Sequence, residues 1–403
     1  MRYEQLTPSE AMIEYCDWLL AQQTETSVGK FFKIVEEGNE KHEWYMAFYP
    51  LRTLMLAGKL LNRPDYLEAA MPYFDIYVDE QLPNGAFTSN YRNKRGCDIT
   101  HEEFIYQMRH GRLNLADNGS NCQALIQAAQ FCGNAERRQR YLDAVKKWFD
   151  NWTIIFSLSN GAYGNGFWSG HKSISPYSMA SNVCSAFSAY TLATGDREYI
   201  EYAENFIMFL CDHWLEDGRP IRFNSYPVEN NGVIDDFARI FYLLEAMCWT
   251  HLCSEKAEVK ARIEERLRQW LLSESGIFRQ WHPSHSFFNC RHGENRYSHV
   301  PEGMYSTKLE VRVMWELAKA NGILHCFSYI MENMFTDPEI STRYEKGIKF
   351  LSNPLKARST GICCEPEESY GAFAVQATGF AGLSLAEAIK PGSAFSLDFD
   401  LKK

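Results

Sequence analysis

The feature that most constrains this chain is an internal repeat. Four segments share one plan: an apolar helix, a short polar turn, a second helix ending in aromatics, and a long loop. They run from Tyr45 to Val78, Asp117 to Trp152, Ser178 to Trp214 and Ile234 to Leu271, at intervals of roughly sixty residues, the scale of a repeated helix pair with its loop. The first helix of each pair is apolar on nearly every side, as in MASNVCSAFSAYTLA, whereas its partner carries a charged face, as in RRQRYLDAVKKWF. A helix apolar all round is buried and an amphipathic one covers it, so inner and outer helices alternate. The turns between them are cued by Gly133-Asn134 and Gly195-Asp196, a helix end followed by a polar start.

A fifth pair is expected at about 306–335, a further helix at about 338–351, and a last one from Tyr370 to Ile389. With the N-terminal helix, about Pro8 to Gln23, this makes six inner and six outer helices. The expected fold is all-α, an (α/α)6 toroid over 1–403 as one domain. An open solenoid would need polar capping helices, and the last helix, AFAVQATGFAGLSLAEA, is as apolar as the inner ones. The loops after the outer helices repeat too: LPNGAFTSNYR, SNGAYGNGFWSG, EDGRPIRFNSY, SESGIFRQWH and STGICCEP. Each joins a Gly turn to an aromatic or β-branched stretch, which predicts short hairpin strands gathered at one rim.

Composition narrows the function. With 45% hydrophobic and 23% charged residues the chain suits a globular protein with a large core. Its 51 acidic against 41 basic residues leave a net charge of −10, which argues against nucleic acid as partner. No basic stretch leads into an apolar one at the start, and no apolar run is long enough for a membrane span, so a cytoplasmic monomer or homodimer is the expectation. Of the twelve cysteines, Cys122, Cys132, Cys184 and Cys248 fall on helical stripes and no C-x-x-C is present, which reads as buried thiols. The adjacent Cys363 and Cys364 read first as a loop entering a helix, with a redox-active pair as the alternative.

Inner-helix N-termini and the long loops meet at one mouth, and acids there are candidates for chemistry or for capping. Asp117 opens the second inner helix in ADNGSN, as an N-cap or as a working carboxylate. Asp235 and Asp236 open the fourth in NNGVIDDFAR, where capping needs only one of them. Two carboxylates across a pocket are the equipment of glycoside chemistry, one giving a proton and the other taking one or holding water. Asp117 and Asp236 are the preferred pair. Arg239, one turn after Asp235, neutralises that acid or faces an anionic ligand.

Trp168, Trp281, Tyr91 and Tyr163 are candidate sugar-stacking rings, each with packing between loops as the alternative; Asn165, Asn224 and Asn289 are candidate polar readers. His171 shares the loop of Trp168 and belongs with the substrate-binding candidates. The loop RQWHPSHSFFNCRHGENRYSHVP gathers His282, His285, His292 and His299 with Arg279, Arg291 and Arg296. It is either a solvated loop or a site for an anionic substrate with a His assisting proton transfer, and it suits such a substrate better than zinc, because no acidic or Cys ligand stands at metal-site spacing. No metal or cofactor is expected. The long charged stretch Arg92 to Ala116 leads directly into Asp117 and reads as a lid, a binding loop or a subunit contact.

The ATGDREYIEYAENFIMFL hairpin, the NG-aromatic loops and the Asp entering IDDFARIFYLLEA resemble the (α/α)6 carbohydrate-active enzymes, most of all the unsaturated glucuronyl and rhamnogalacturonyl hydrolases. The resemblance implies an oligosaccharide substrate ending in an unsaturated uronic acid, an Asp that protonates its C4=C5 double bond and positions water, and no cofactor. The alternatives are a sugar 2-epimerase using loop histidines, a terpenoid cyclase, which needs an acid cluster such as D-x-D-D, and a non-catalytic glycan-binding protein.

Overall fold

A computed structural model describes residues 5–36, 39–94, 99–223, 232–234, 237–277, 281–282, 289–290, 322–352 and 371–396. Among them are α1 (Pro8–Ala21), α2 (Trp44–Leu60), α3 (Pro64–Asp79), α4 (His101–His110), α5 (Leu115–Phe131), α6 (Ala135–Trp148) and α7 (Asn182–Thr194). Then come α8 (Ile200–Asp212), α9 (Phe237–Cys253), α10 (Ala257–Leu272), α11 (Leu324–Asn333), α12 (Pro338–Leu351) and α13 (Gly371–Ile389). Helix α2 packs on α5, α5 on α7, α7 on α9, α9 on α11, α11 on α13, and α13 back on α2. The inner ring is therefore closed. Each inner helix carries an outer partner, in the order α3, α6, α8, α10, α12 and α1, and the N-terminal helix completes the outer ring on α13.

Burial follows the sequence pattern that separates the two rings. Every residue of α5 except Asp117 and Gln130 is buried. Outer α6 buries only Tyr141, Leu142, Ala144, Val145 and Trp148 and turns its charges outward. Closure between α2 and α13 depends on close backbone approach: a Cβ added at Gly379 would lie 2.4 Å from the Pro50 nitrogen. Gly379→Ala is therefore expected to destabilise the protein by about 1–3 kcal/mol, the cost of overpacking a filled core. Gly133→Ala, whose Cβ meets nothing within 4 Å, carries only the cost of its left-handed φ of +64°, and in a thermal melt it measures that backbone cost apart from overpacking.

The repeated loops share a turn. Asn84, Asn160 and Asp217 each accept, through the side-chain oxygen, the N–H two residues on, at 3.4, 3.1 and 3.2 Å. The glycine that follows each has φ of +89°, +84° and +90°, in the region that favours glycine. The strands are β1 (Gln23–Thr26), β2 (Gly29–Phe32), β3 (Val35–Glu36), β4 (Asn39–Glu40), β5 (Arg112–Asn114), β6 (Gly166–Trp168), β7 (His171–Lys172), β8 (Ile221–Arg222), β9 (Gly232–Val233), β10 (Trp281–His282) and β11 (Asn289–Cys290).

The expected hairpins appear in altered form: β6 and β7 pair and β5 joins them from the stretch before α5, while β8 pairs β9 and β10 pairs β11. The loop after α3 forms a turn and a single bridge from Asn90 to Glu43. The β1–β2 hairpin escapes the sequence reading; it carries Phe31 onto Tyr91, ring centroids 4.3 Å apart, and Phe32 onto Tyr73. In the fifth pair the inner helix is seen from Leu324, and 301–321 lie outside the described residues.

Below the mouth the toroid axis is filled in layers. Tyr49 of α2, Phe241 of α9 and Phe380 of α13 form an aromatic floor, their ring centroids 4.4 to 5.3 Å apart. Under it Arg52 meets Glu245 at 2.8 Å, and His325 approaches the same carboxylate at 3.4 Å. The segment after α13 closes the far end: Glu387 accepts the N–H groups of Gly392 and Ala394, and Phe395 stacks on His325. Seven of the described cysteines are buried and Cys132 is half-buried; all are free. No helix of the described residues is long and apolar enough to cross a membrane.

Candidate active site

The N-termini of α2 and α5 are stitched to the loops by backbone hydrogen bonds. Trp44 N–H donates to Ser89, Ser89 to Arg112, and Leu115 to Asn165, at 2.8 to 2.9 Å. This fixes the start of both helices at one end of the ring. Asn114 is the N-cap of α5: its Oδ1 accepts the Asp117 N–H at 2.8 Å, and its Nδ2 donates to the Asp117 carboxylate at 2.7 Å. The capping role considered for Asp117 therefore belongs to Asn114. Asp117 is left on the first turn, half-buried.

Burial pushes the Asp117 carboxyl up to about 6, against the Asn114 hydrogen bond, and the negative charge of Glu43 pushes the same way. Glu43 directly precedes α2 and is buried. It accepts a charge-assisted hydrogen bond from Arg112 at 2.5 Å. The Arg112 guanidinium lies over the ring of Trp168, 4.1 Å from its centroid. Tyr45, the second residue of α2, has its hydroxyl pKa raised well above the ordinary value by burial and by Glu43 and Asp117, so it keeps its proton as a donor.

Glu43 is the residue that sequence reading missed. It precedes the first inner helix, as Asp235 and Asp236 precede the fourth, and that position was the available signal.

Other candidates resolve differently. Trp168 is half-buried and His171 is exposed, on paired strands. Tyr163 is fully buried against Phe187 and Phe206, so it packs a loop onto α7 and α8 and is no stacking platform. Tyr91 is likewise core, stacked on Phe31 with its hydroxyl donating to the Lys30 carbonyl at 2.9 Å. Asn165 is buried and its Oδ1 accepts the Ala116 N–H at 3.2 Å, a helix-capping duty in place of ligand reading.

Within the charged stretch before Asp117, His101–His110 form α4 and Arg112–Asn114 form β5, and Glu80 anchors its start by accepting the Arg92 and Lys94 N–H groups, each at 2.9 Å. Asp235, Asp236, Asn224, Arg279, His285, Arg291, His292, Arg296, His299, Cys363 and Cys364 lie outside the described residues. Arg239, Trp281, His282 and Asn289 are described only as backbone of α9, β10 and β11. Among the described residues no group of three His, Cys, Asp or Glu is placed to hold a metal.

The architecture is that of solved carbohydrate-active enzymes. A family 76 glycoside hydrolase (mannosidase) from Bacteroides thetaiotaomicron VPI-5482 superposes with a TM-score of 0.61 at 9% identity, covering 95% of this chain and 98% of that one. The α-1,6-mannanase of Salegentibacter sp. HEL1_6 gives 0.58 at 11% identity, covering 94% and 99%. A family 88 glycosyl hydrolase from Bacteroides vulgatus gives 0.54 at 12% identity over the same shares. At these identities the likeness is one of fold. No protein-family model matches the chain, and no curated protein matches its sequence.

Proposed function

We propose that this protein is a glycoside hydrolase acting on an oligosaccharide end that carries an unsaturated uronic acid, with Asp117 as proton donor. The observation that carries the proposal is the Asp117 carboxyl, raised to about 6 beside a second carboxylate, Glu43, at the mouth of the toroid. A carboxylic acid that holds its proton near neutrality is what general-acid chemistry requires. The neighbours support a carbohydrate: they include a polysaccharide lyase and the family 88 enzyme, and an inactive mannanase variant with two aspartates replaced was solved with α-1,6-mannotriose.

In the proposed reaction the Asp117 proton goes to C4 of the double bond. A water oxygen bonds to C5, and that water's proton returns to the Asp117 carboxylate. The hemiketal at C5 then opens, and the hemiacetal at C1 collapses to release the rest of the chain. Arg112, held by Glu43 and backed by Trp168, supplies a guanidinium for the uronate carboxylate.

Two carboxylates from adjacent inner helices also favour a second reading, ordinary hydrolysis of a saturated glycoside by the acid and base pair Asp117 and Glu43. One experiment separates them. Unsaturated glucuronyl and galacturonyl oligosaccharides are followed by the absorbance of their conjugated enol carboxylate, and α-1,6-mannooligosaccharides by new reducing ends. Loss of absorbance establishes the first reading, and reducing ends from mannan alone establish the second. Turnover of neither refutes both and leaves a glycan-binding protein or an epimerase.

A further inference from the structure

Two stretches of the sequence hold no acidic residue: Phe104 to Ala116, and Asn151 to Gly195. Burial accounts for the end of the second gap, which is α7; the rest, in a chain with 51 acidic residues and a net charge of −10, is conspicuous. The fold brings them together, because β5 comes from the first and β6 and β7 from the second, forming one antiparallel sheet beside the mouth. Arg112 stands opposite Trp168, and Trp168 opposite His171, so all three share one face. Leu113, Phe167 and Lys172 take the other face, where Phe167 packs on Trp152 and Phe156. The row begins at Glu43, bonded to Arg112, and ends at exposed His171.

We infer that this row is a platform for the further sugar units of an acidic oligosaccharide whose end sits at Asp117. Trp168, with Arg112 covering one ring face, presents the rest of the indole to a pyranose ring; His171, beyond it, receives the carboxylate of a further uronate, while Arg112 keeps that of the end unit. Arg112 has five N–H donors and gives Glu43 only part of them. A neutral glycan would use the stacking and have no need of Arg112 and His171 on the same face. The inference rests on the reading of this mouth as a carbohydrate site.

The test uses saturated hexagalacturonate, which has no C4=C5 bond to be consumed, and α-1,6-mannohexaose as the neutral comparison. Binding to the full chain is measured by titration calorimetry at low and high salt. Hexagalacturonate should bind at least about tenfold more tightly than mannohexaose and lose affinity as salt rises. Trp168→Ala and His171→Glu should each weaken it by about tenfold or more, from lost stacking and from a like charge in the row. Melting temperatures show that the variants are folded, and His171 is exposed.

Equal affinity for the two ligands, no binding of hexagalacturonate, or a His171→Glu variant that binds like the parent would overturn the platform. If unsaturated oligosaccharides are turned over and the variants still bind normally, the platform falls and the hydrolase reading stands. If they are not turned over and hexagalacturonate binds with these dependences, the hydrolase reading falls and the platform stands.

Discussion

Asp117→Asn is expected to lower kcat on unsaturated uronyl oligosaccharides by about 10²–10⁴-fold, the range typical of losing a general acid. The same change should make the protein more stable at neutral pH. The folded carboxyl titrates at about 6, above its ordinary value of 3.8. The folded state thus binds the proton more tightly than the unfolded one, and stability is lost as pH rises from 3.8 through 6. Above pH 6 that loss is complete, and Asn removes it, for a gain of roughly 1–2 kcal/mol after allowing for the partial exposure of the group.

Paired melts at pH 8 and pH 3.5 check this: the variant should melt higher at the first and level with the parent at the second. In the parent, kcat/KM should fall as pH rises past about 6, where the acid loses its proton. Full activity in Asp117→Asn, or an activity rising through pH 8, would remove Asp117 from the mechanism.

The second large effect lies below the aromatic floor. Arg52→Met or Glu245→Gln alone is expected to cost about 3–5 kcal/mol, because each leaves the other half of a buried ion pair without its partner. The Arg52 and Glu245 side chains are 1% and 0% exposed, so water does not compensate. The double variant Arg52→Met with Glu245→Leu should recover most of that loss, since apolar replacements of similar volume leave neither half of the pair charged, and His325, without Glu245, can give up its proton. Urea unfolding of the three variants measures this; additive losses in the double variant would contradict it.

The pair also sets a pH dependence. Burial opposes the charge on Glu245, yet Arg52 and His325 hold its carboxyl down at about 2; His325, against its own burial, is raised to about 10 by Cys326 and Glu245. A raised histidine stabilises fully below 6.5, and that contribution fades as pH climbs to 10. Stability of the parent should therefore decline over that window, and decline less in His325→Gln.

The ring was legible in the sequence because burial writes itself into composition. A helix enclosed on all sides needs small and apolar residues everywhere, as in α5 and α7, while its cover needs one charged face, as in α6. The turns were legible for a similar local reason: Asn84-Gly85 and Asn160-Gly161 combine a side-chain cap with a left-handed φ, which the pair of residues itself dictates. The position of Asp117 at the start of an inner helix followed from the same periodicity.

What the sequence could not order was anything decided between repeats. Tyr163 and Trp168 are aromatics of one loop, and only the packing of Phe187 and Phe206 from α7 and α8 makes the first core and leaves the second half-buried at the mouth. Asn114 and Asp117 are both suitable caps three residues apart, and the backbone direction entering α5 gave the duty to Asn114. Glu43 and Asp117 become neighbours only because α2 packs on α5, and Arg112 reaches Glu43 only because β5 lies between them and Trp168. Local periodicity and turn chemistry determined the helices and their order. Contacts between residues far apart in the chain decided which polar groups are buried together, and hence which acid holds its proton.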